Sequence, residues 1–295
     1  MILSCPHKFL TSLNNFDLHN HSNCSDGQLA PRDLVALAVQ GGCDALALTD
    51  HDNTDGLVEA AVAAAAAGLR FVNGVEISVT WRPDTLHTTL HIVGLDIDPE
   101  APSMVQGLAS VRAGRHVRAE LMAQDLARVG IVGALEGAYR YAEHPDMISR
   151  THFARFLVEI GKARDVGSAF HHYLVQGKPG YVRHDWTSLA EAIRWIRESH
   201  GIPVLAHPGR YRLNAVQMNE LLDEFQALGG EAVEVVTGSH SADDMRRFAQ
   251  IARERGLLAS RGADFHGPGE SDWAPGTLPL LPAELTPVWT RLRAN

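Results

Sequence analysis

The chain alternates short apolar runs with amphipathic stretches, the pattern of strands and helices taking turns in an α/β fold. Seven runs read as strands: residues 16–21, 44–51, 71–79, 88–97, 202–208, 232–238 and 257–266. The helices between them carry their own punctuation. Pro31 opens PRDLVALAVQGG and Gly41 closes it, Ser241 caps SADDMRRFAQIARERG, and Thr187 or Ser188 caps the segment before Trp195. The alanine-rich AAVAAAAAG at 60–68 reads as a helix packed closely on a neighbour. One stretch breaks the rhythm: residues 101–184 show helical periodicity without a strand, and are expected to form an inserted helical subdomain. That leaves 14–100 together with 185–295 as one discontinuous main domain.

Composition sharpens this picture in two places. With 295 residues, 45% of them hydrophobic and 21% charged, the chain can bury one large core and a smaller one. The formal net charge of −9 excludes a general polyanion-binding surface. Yet residues 101–190 hold 11 Lys+Arg against 8 Asp+Glu, leaving −12 on the remainder, so the insert is a weakly basic cover on an acidic body. A lid over an anionic substrate is the expectation. Cys5, Cys24 and Cys43 are too few and too irregular for a disulfide framework. The opening MILSCPHKFL has no apolar run long enough for a signal peptide, and no segment approaches the roughly 20 apolar residues of a membrane span. A cytoplasmic protein without membrane contact or an obligate protein partner is therefore expected.

The chemistry collects at strand ends. In FDLHNHSNCSDG, residues 16–27, His19 and His21 are two apart on an extended segment, so both imidazoles face one side, with Asp26 five residues later. The second run ends in Asp50, His51 and Asp52, the third carries Glu76, the fourth His91, the fifth His207, and the seventh Asp264 and His266. In a barrel of parallel strands such ends converge on one face. Nine imidazole and carboxylate donors without a thiolate suit two or three ions of Mn²⁺, Zn²⁺ or Fe²⁺. A centre of that kind makes hydroxide from water at neutral pH and neutralises a phosphoryl group, so phosphate ester hydrolysis uses it best.

The motifs D-L-H-x-H-S-x-x-S-D-G, A-L-T-D-H-D, G-V-E, L-A-H-P-G-R and A-D-F-H, in that order, resemble those of the PHP family, named for polymerase and histidinol phosphatase domains. The resemblance implies a distorted (β/α)7 barrel related to the TIM barrel. It further implies His19, His21, Glu76 and Asp264 around one ion, and Asp26, His51 and His266 around a second. His91 and His207 would complete a third, with Glu76 bridging. Some relatives carry His where this chain has Asp26, a departure that still supplies a hard oxygen donor. MISRTHFARFLVEIG, LVQGKPGYV and HIVGLDID are similar to a branch of small-nucleotide and RNA 5′-end hydrolases. That branch implies Mn²⁺-supported removal of the 3′-phosphate from nucleoside 3′,5′-bisphosphates such as adenosine 3′,5′-bisphosphate, leaving the 5′-nucleotide. The alternative within it is 5′-to-3′ degradation of short 5′-phosphorylated RNA.

On this reading Asp264, His207 and Glu76 carry catalysis, with Asp264 or His207 handling the proton. Thr49, Asp50 and Asp52 are candidates to orient ligands, Asp52 alternatively to cap a helix, and Glu234 to orient a ligand or bind a hydroxyl. Arg150 and His152, behind Ser149 as helix N-cap, are expected to bind a 5′-phosphate, with Lys178, Arg183, His184 and Arg210 as further candidates. Arg155 and Tyr181 rank below these. Two rival readings remain: an amide or ring hydrolase on the same scaffold, and a non-catalytic metal-binding regulatory module.

Overall fold

Seven strands follow one another around a single sheet in chain order: β1 (Phe16–Asp17), β2 (Ala45–Leu48), β3 (Arg70–Trp81), β4 (Thr88–Leu95), β5 (Ile202–Leu205), β6 (Ala232–Thr237) and β7 (Leu258–Gly262). The computed structural model describes residues 15–82 and 84–293, so Cys5 and His7 lie outside the described residues. The last strand returns to the first. Leu18 N–H donates to Arg261 O at 2.9 Å, Asp264 N–H to His19 O at 2.8 Å and His21 N–H to Phe265 O at 2.9 Å, which nearly closes the barrel.

Alternation along the strands sorts the core into two layers. Ala45 and Ala47 join Phe16, Leu18, Val93, Val204 and Ala206 in one cluster, while Leu46 and Leu48 join the other, larger cluster with the helices. The small alanines suit the narrow interior of a seven-stranded barrel. Opposite the histidine end, Phe16 stacks on Trp289 with ring centres 4.6 Å apart.

The expected all-parallel sheet fails at β4, which runs antiparallel to both β3 and β5. The cause is local. β3 ends at Trp81 and β4 begins at Thr88, too short a gap for the dozen or more residues of a parallel crossover. Arg82 and His87 turn the chain with left-handed φ of 49° and 47°. His91 therefore reaches the site from mid-strand, in register with Ser78, and not from a carboxyl end.

Ten α-helices occur among the described residues: α1 (Pro31–Gln40), α2 (Leu57–Ala67), α3 (Pro102–Arg112), α4 (Arg115–Arg128), α5 (Ala134–Tyr139), α6 (Arg150–Glu159), α7 (Val166–Ala169), α8 (Leu189–Glu198), α9 (Ala215–Ala227) and α10 (Ala242–Arg255). Pro31 and Gly41 bound α1, and Gly68, in the left-handed conformation, ends the alanine-rich α2. Ser188 rather than Thr187 caps α8, and Ser241 caps α10. Within 101–184, α3 packs Met104, Leu108 and Val111 onto the barrel's outer core beside Trp195 and Ile196. A second, separate core gathers Ala119, Met122, Leu126, Phe153, Phe156, Leu157 and Leu174 from α4 onward.

Candidate metal centre and its arginine roof

β1 runs into an extended segment that delivers His19 and His21 to the top of the barrel, both fully buried. Their Nε2 atoms lie 3.2 Å apart. Each is 3.3 Å from Glu76 Oε2 of β3, and Asp264 Oδ1 sits 3.5 Å from His19 Nε2 and 3.2 Å from His21 Nε2. Next to this first group, Asp26 Oδ1 lies 3.8 Å from His51 Nε2 and 3.5 Å from His266 Nε2, with His21 shared between the two groups. On the other side His51 Nδ1 approaches Glu76 Oε2 at 3.0 Å, and His91 Nδ1 approaches Oε1 at 2.9 Å, a third group. His207 Nε2 is also 2.9 Å from Glu76 Oε1. Glu76 thus stands at the middle of the cluster, touching five imidazoles.

The donors are held from behind. Glu234 of β6 accepts from or faces His19 Nδ1 at 2.6 Å and accepts the His207 backbone N–H at 2.6 Å, so one carboxylate orients an imidazole and a strand end. Asp50 accepts from Ser22 N–H, Ser22 Oγ and Ser25 Oγ at 2.8, 2.6 and 2.5 Å, fixing the loop between His21 and Asp26 rather than a histidine. Thr49 exchanges hydrogen bonds with the backbone of Asn20. Asp52 caps no helix; it accepts from Ser78 N–H and Oγ at 2.8 and 2.9 Å and from the Arg115 guanidinium. Asp52, His207 and Asp264 all take left-handed φ, at 45°, 26° and 53°, so the backbone around the cluster is strained at three non-glycine positions.

These residues fit divalent ions on their own evidence. Asp26 Oδ1, Glu76 Oε2, His51 Nδ1 and His91 Nδ1 are buried, lie close to one another, and have no hydrogen bond of acceptable geometry. Buried lone pairs aimed at shared points without donors are what a coordinating group leaves. Protonation is correspondingly skewed. Burial presses the Glu76 carboxyl upward, but the imidazoles of His91, His19 and His51 outweigh it and hold it well below the carboxylate range. Asp26 and Asp264 follow the same logic. Burial pushes His91 and His266 down to about 4, while for His19 the carboxylates of Glu234, Glu76 and Asp264 overcome burial and raise it.

Above the cluster lies a cavity of about 390 Å³. Its floor is the donor set, and its roof comes from the helical insert and the segment after it: Arg115, Arg118, Arg150, Phe170 and Trp186, with Arg210 at the side. Arg115 and Arg118 place their guanidinium carbons 4.9 and 5.1 Å from the Trp186 ring centre. Arg115 is paired with Asp52, and Arg210 donates to Asp264 Oδ2 at 3.0 Å. Arg118 is 8% exposed, its Nε has no partner, and among the described residues no carboxylate lies within ion-pair distance of it. Burial, then Arg150 and Arg115, push its guanidinium well below the ordinary value. A buried, unpaired cation is unfavourable unless an anion joins it.

A family model, the PHP domain, matches residues 17–201. The chain belongs to the PHP family. Over 95% of this chain and 97% of the relative, it is 49% identical to a 3′,5′-nucleoside bisphosphate phosphatase of Chromobacterium violaceum. It is 42% identical to the 5′-3′ exoribonuclease Rnm of Escherichia coli, over 93% and 92% of the two chains. Among solved structures, an amidohydrolase from Chromobacterium violaceum with bound sulfate and no metal superposes with a TM-score of 0.90 at 49% identity, covering 94% of this chain and 95% of that one. Fold and donor geometry thus sit on a PHP barrel, in a family of hydrolases with candidate sites for metal.

The nine donors read from the motifs lie together at the floor of this PHP site, His91 facing Glu76 while the nearby His87 turns away to Asp185 at 2.7 Å. The expected phosphate binders divide. Arg150 and Arg210 line the cavity. His152 does not; it is fully buried and its Nδ1 accepts the Ser149 N–H, completing the N-terminal capping box of α6. Lys178 is half-buried and lies outside the lining, as does Tyr181. Arg183 is exposed near Asp185 at 3.9 Å, and His184 packs edge-on against Trp186 in a smaller neighbouring hollow. Arg155 is a structural contact, gripping Glu270 through two bonds of 2.8 Å. Residues that sequence reasoning missed are Arg115, Arg118, Phe170 and Trp186. The one available signal was the arginine pair three apart in a basic helix, which shares a helix face.

Proposed function

We propose that this protein uses two or three divalent ions, Mn²⁺ in the first place, to hydrolyse the 3′-phosphate of nucleoside 3′,5′-bisphosphates to the 5′-nucleotide and phosphate. The observation that carries this reading is the cavity itself, with a donor-rich floor and, across it, a buried guanidinium without a counter-charge. Such a cavity suits a small molecule with two anionic groups. An amide or ring substrate would leave Arg118 unpaired, and a silent binding module would have no use for a formed cavity above the donors.

His19, His21, Glu76 and Asp264, then His21, Asp26, His51 and His266, then Glu76, His51 and His91 are the groups that would hold the ions. When bound, such ions lower the pKa of water and neutralise charge at phosphorus. The chain's own residues do the rest. Arg118 and Arg150 bind the distal phosphate, with Arg118 poised to gain the charge-assisted bond it lacks. Arg210 keeps the second oxygen of Asp264 turned to the cavity, and Asp264 or His207 handles the proton of the attacking water. His207, backed by Glu234, faces Glu76 and supplies the second proton-handling position. Phe170 and Trp186 offer apolar faces for the nucleoside. Residues 101–184 act as the lid. Among the described residues no helix is long and apolar enough to cross a membrane.

The deciding assay is phosphate release with Mn²⁺ from adenosine 3′,5′-bisphosphate, beside 3′-AMP, 5′-AMP and a short 5′-phosphorylated RNA, repeated with Zn²⁺ and Fe²⁺. Fast release from the bisphosphate, giving 5′-AMP, supports the proposal. Shortening of the RNA with a slow bisphosphate reaction would overturn it in favour of the exoribonuclease reading, which the Escherichia coli relative makes the second choice.

A further inference from the structure

Asp26 is gripped from the helical insert at three points. Thr151 Oγ1 donates to its Oδ2 at 2.8 Å and Ser149 Oγ to the same oxygen at 3.2 Å. Arg155 donates to its backbone carbonyl at 2.6 Å. Arg155 in turn holds Glu270, in the loop that also carries His266. The other carboxylate oxygen, Oδ1, is buried, has no hydrogen-bond partner, and faces His51 and His266. On the barrel side the backbone fixes the same residue, since a Cβ on neighbouring Gly27 would lie 2.4 Å from His21 O. The second carboxylate oxygen and the backbone carbonyl of Asp26 are thereby occupied, and the oxygen aimed at the imidazoles is left without a hydrogen bond.

We infer that Thr151, with Ser149 and Arg155, is a positioning residue for the metal held at Asp26, so that the first turn of α6 sets that ion's affinity and the ion in turn orders α6. The inference rests on the reading that the His21, Asp26, His51 and His266 group binds a divalent ion. Two hydroxyl donors on Oδ2 fix the rotation of the carboxylate and leave Oδ1 as the ligand atom. Removing a partner of this kind costs about 10- to 100-fold in metal affinity. Coupling between two sites is reciprocal, so an ion that Thr151 helps to bind must also stabilise the contacts of Thr151.

The test needs no turnover. Mn²⁺ is titrated calorimetrically into the metal-free full chain, wild type and Thr151→Val, with Asp26→Asn as the benchmark for the affected equivalent. Thr151→Val should weaken one equivalent by about 10-fold, the same one that Asp26→Asn removes, leave the others unchanged, and recover with Thr151→Ser. In hydrogen exchange, saturating Mn²⁺ should slow the α6 amides of wild type and lose that effect in Thr151→Val. A purely structural role would lower melting temperature without singling out one equivalent. Should Thr151→Val not fold, Ser149→Gly removes the second hydroxyl while retaining a tolerated N-cap residue, and the same equivalent should weaken, by less than Asp26→Asn weakens it. Identical titrations for wild type and variant would overturn the inference. A wild-type chain that takes up no Mn²⁺ would overturn the metal reading beneath it.

Discussion

The floor and the roof of the cavity were built by different rules. Floor residues sit on strands or a few residues beyond their ends, so a chain that forms the strands has little freedom over where His19, His21, Glu76, His91, Asp264 and His266 go. Roof residues sit on helices whose position depends on how a second core packs against the first. Arg118 and Arg150 are separated by 32 positions, with α5 between the helices that carry them, and no local spacing announces that they share a cavity. The difference teaches that chemistry anchored to a barrel edge can be read from short motifs, whereas a recognition surface carried by an insert can be read only once the insert is folded.

The harshest test of the floor is to remove a donor. His19→Ala or Asp264→Asn should reduce kcat/KM by about 1000-fold or more, roughly 4 kcal/mol of barrier, with the circular dichroism spectrum retained. Near-normal turnover by either would mean that the cluster is not the reaction centre and that floor and roof differ only in packing. What made the floor legible was periodicity plus donor type: H-x-H on an extended segment, then one acid or imidazole on strand after strand. What escaped was direction. Nothing in TTLHIVGLDI says that the strand runs backward; the short gap after Trp81 says so, and it lies in the connection, not in the strand. The charge of the insert leads to the expectation of a basic cover, and Arg115, Arg118 and Arg150 of that segment line the cavity; of the candidates taken from the insert by sequence, Arg150 is the one that lines it. His152, Lys178, Arg183 and His184 are, like Arg118, residue types that can carry positive charge, and only packing separates a capping imidazole, a half-buried lysine, an exposed arginine and a ring set against Trp186 from a guanidinium in the cavity roof.

A smaller effect should come from the roof. Arg118→Met keeps much of the buried volume and removes the charge. It should raise KM for adenosine 3′,5′-bisphosphate by about 30- to 100-fold, close to 2–3 kcal/mol for a charge-assisted bond, and change 3′-AMP turnover less than threefold. The variant should also be at least as stable as wild type without ligand, since a buried cation without a partner is replaced by an apolar chain. Equal losses on both substrates, together with lower thermal stability, would make Arg118 a structural residue and erase the functional distinction between roof and floor.

The smallest and most local effect concerns the residue that sequence reasoning took for a phosphate ligand. His152 is buried away from the cavity, and burial pushes its imidazole down to about 4, with Asp26 only partly opposing. Its Nδ1 accepts the Ser149 N–H, so the neutral ring is the form the fold needs. The folded-state value is below the unfolded one, so between about 6.5 and 4 the unfolded chain binds a proton that the folded chain refuses. Stability from this site is complete above pH 6.5 and falls as pH drops toward 4, by up to about 3 kcal/mol. Gln at the same position of the helix can still close a capping box but does not titrate. In metal-free protein, chemical denaturation of wild type and His152→Gln at pH 7 and pH 4.5 should therefore diverge, with the wild type losing about 2 kcal/mol more. His152→Gln should leave turnover near wild type at neutral pH, as expected of a residue that holds the helix start and not the substrate. Parallel pH dependences would show that folding leaves the His152 pKa unmoved, the Asp26 carboxylate then balancing the whole cost of burial.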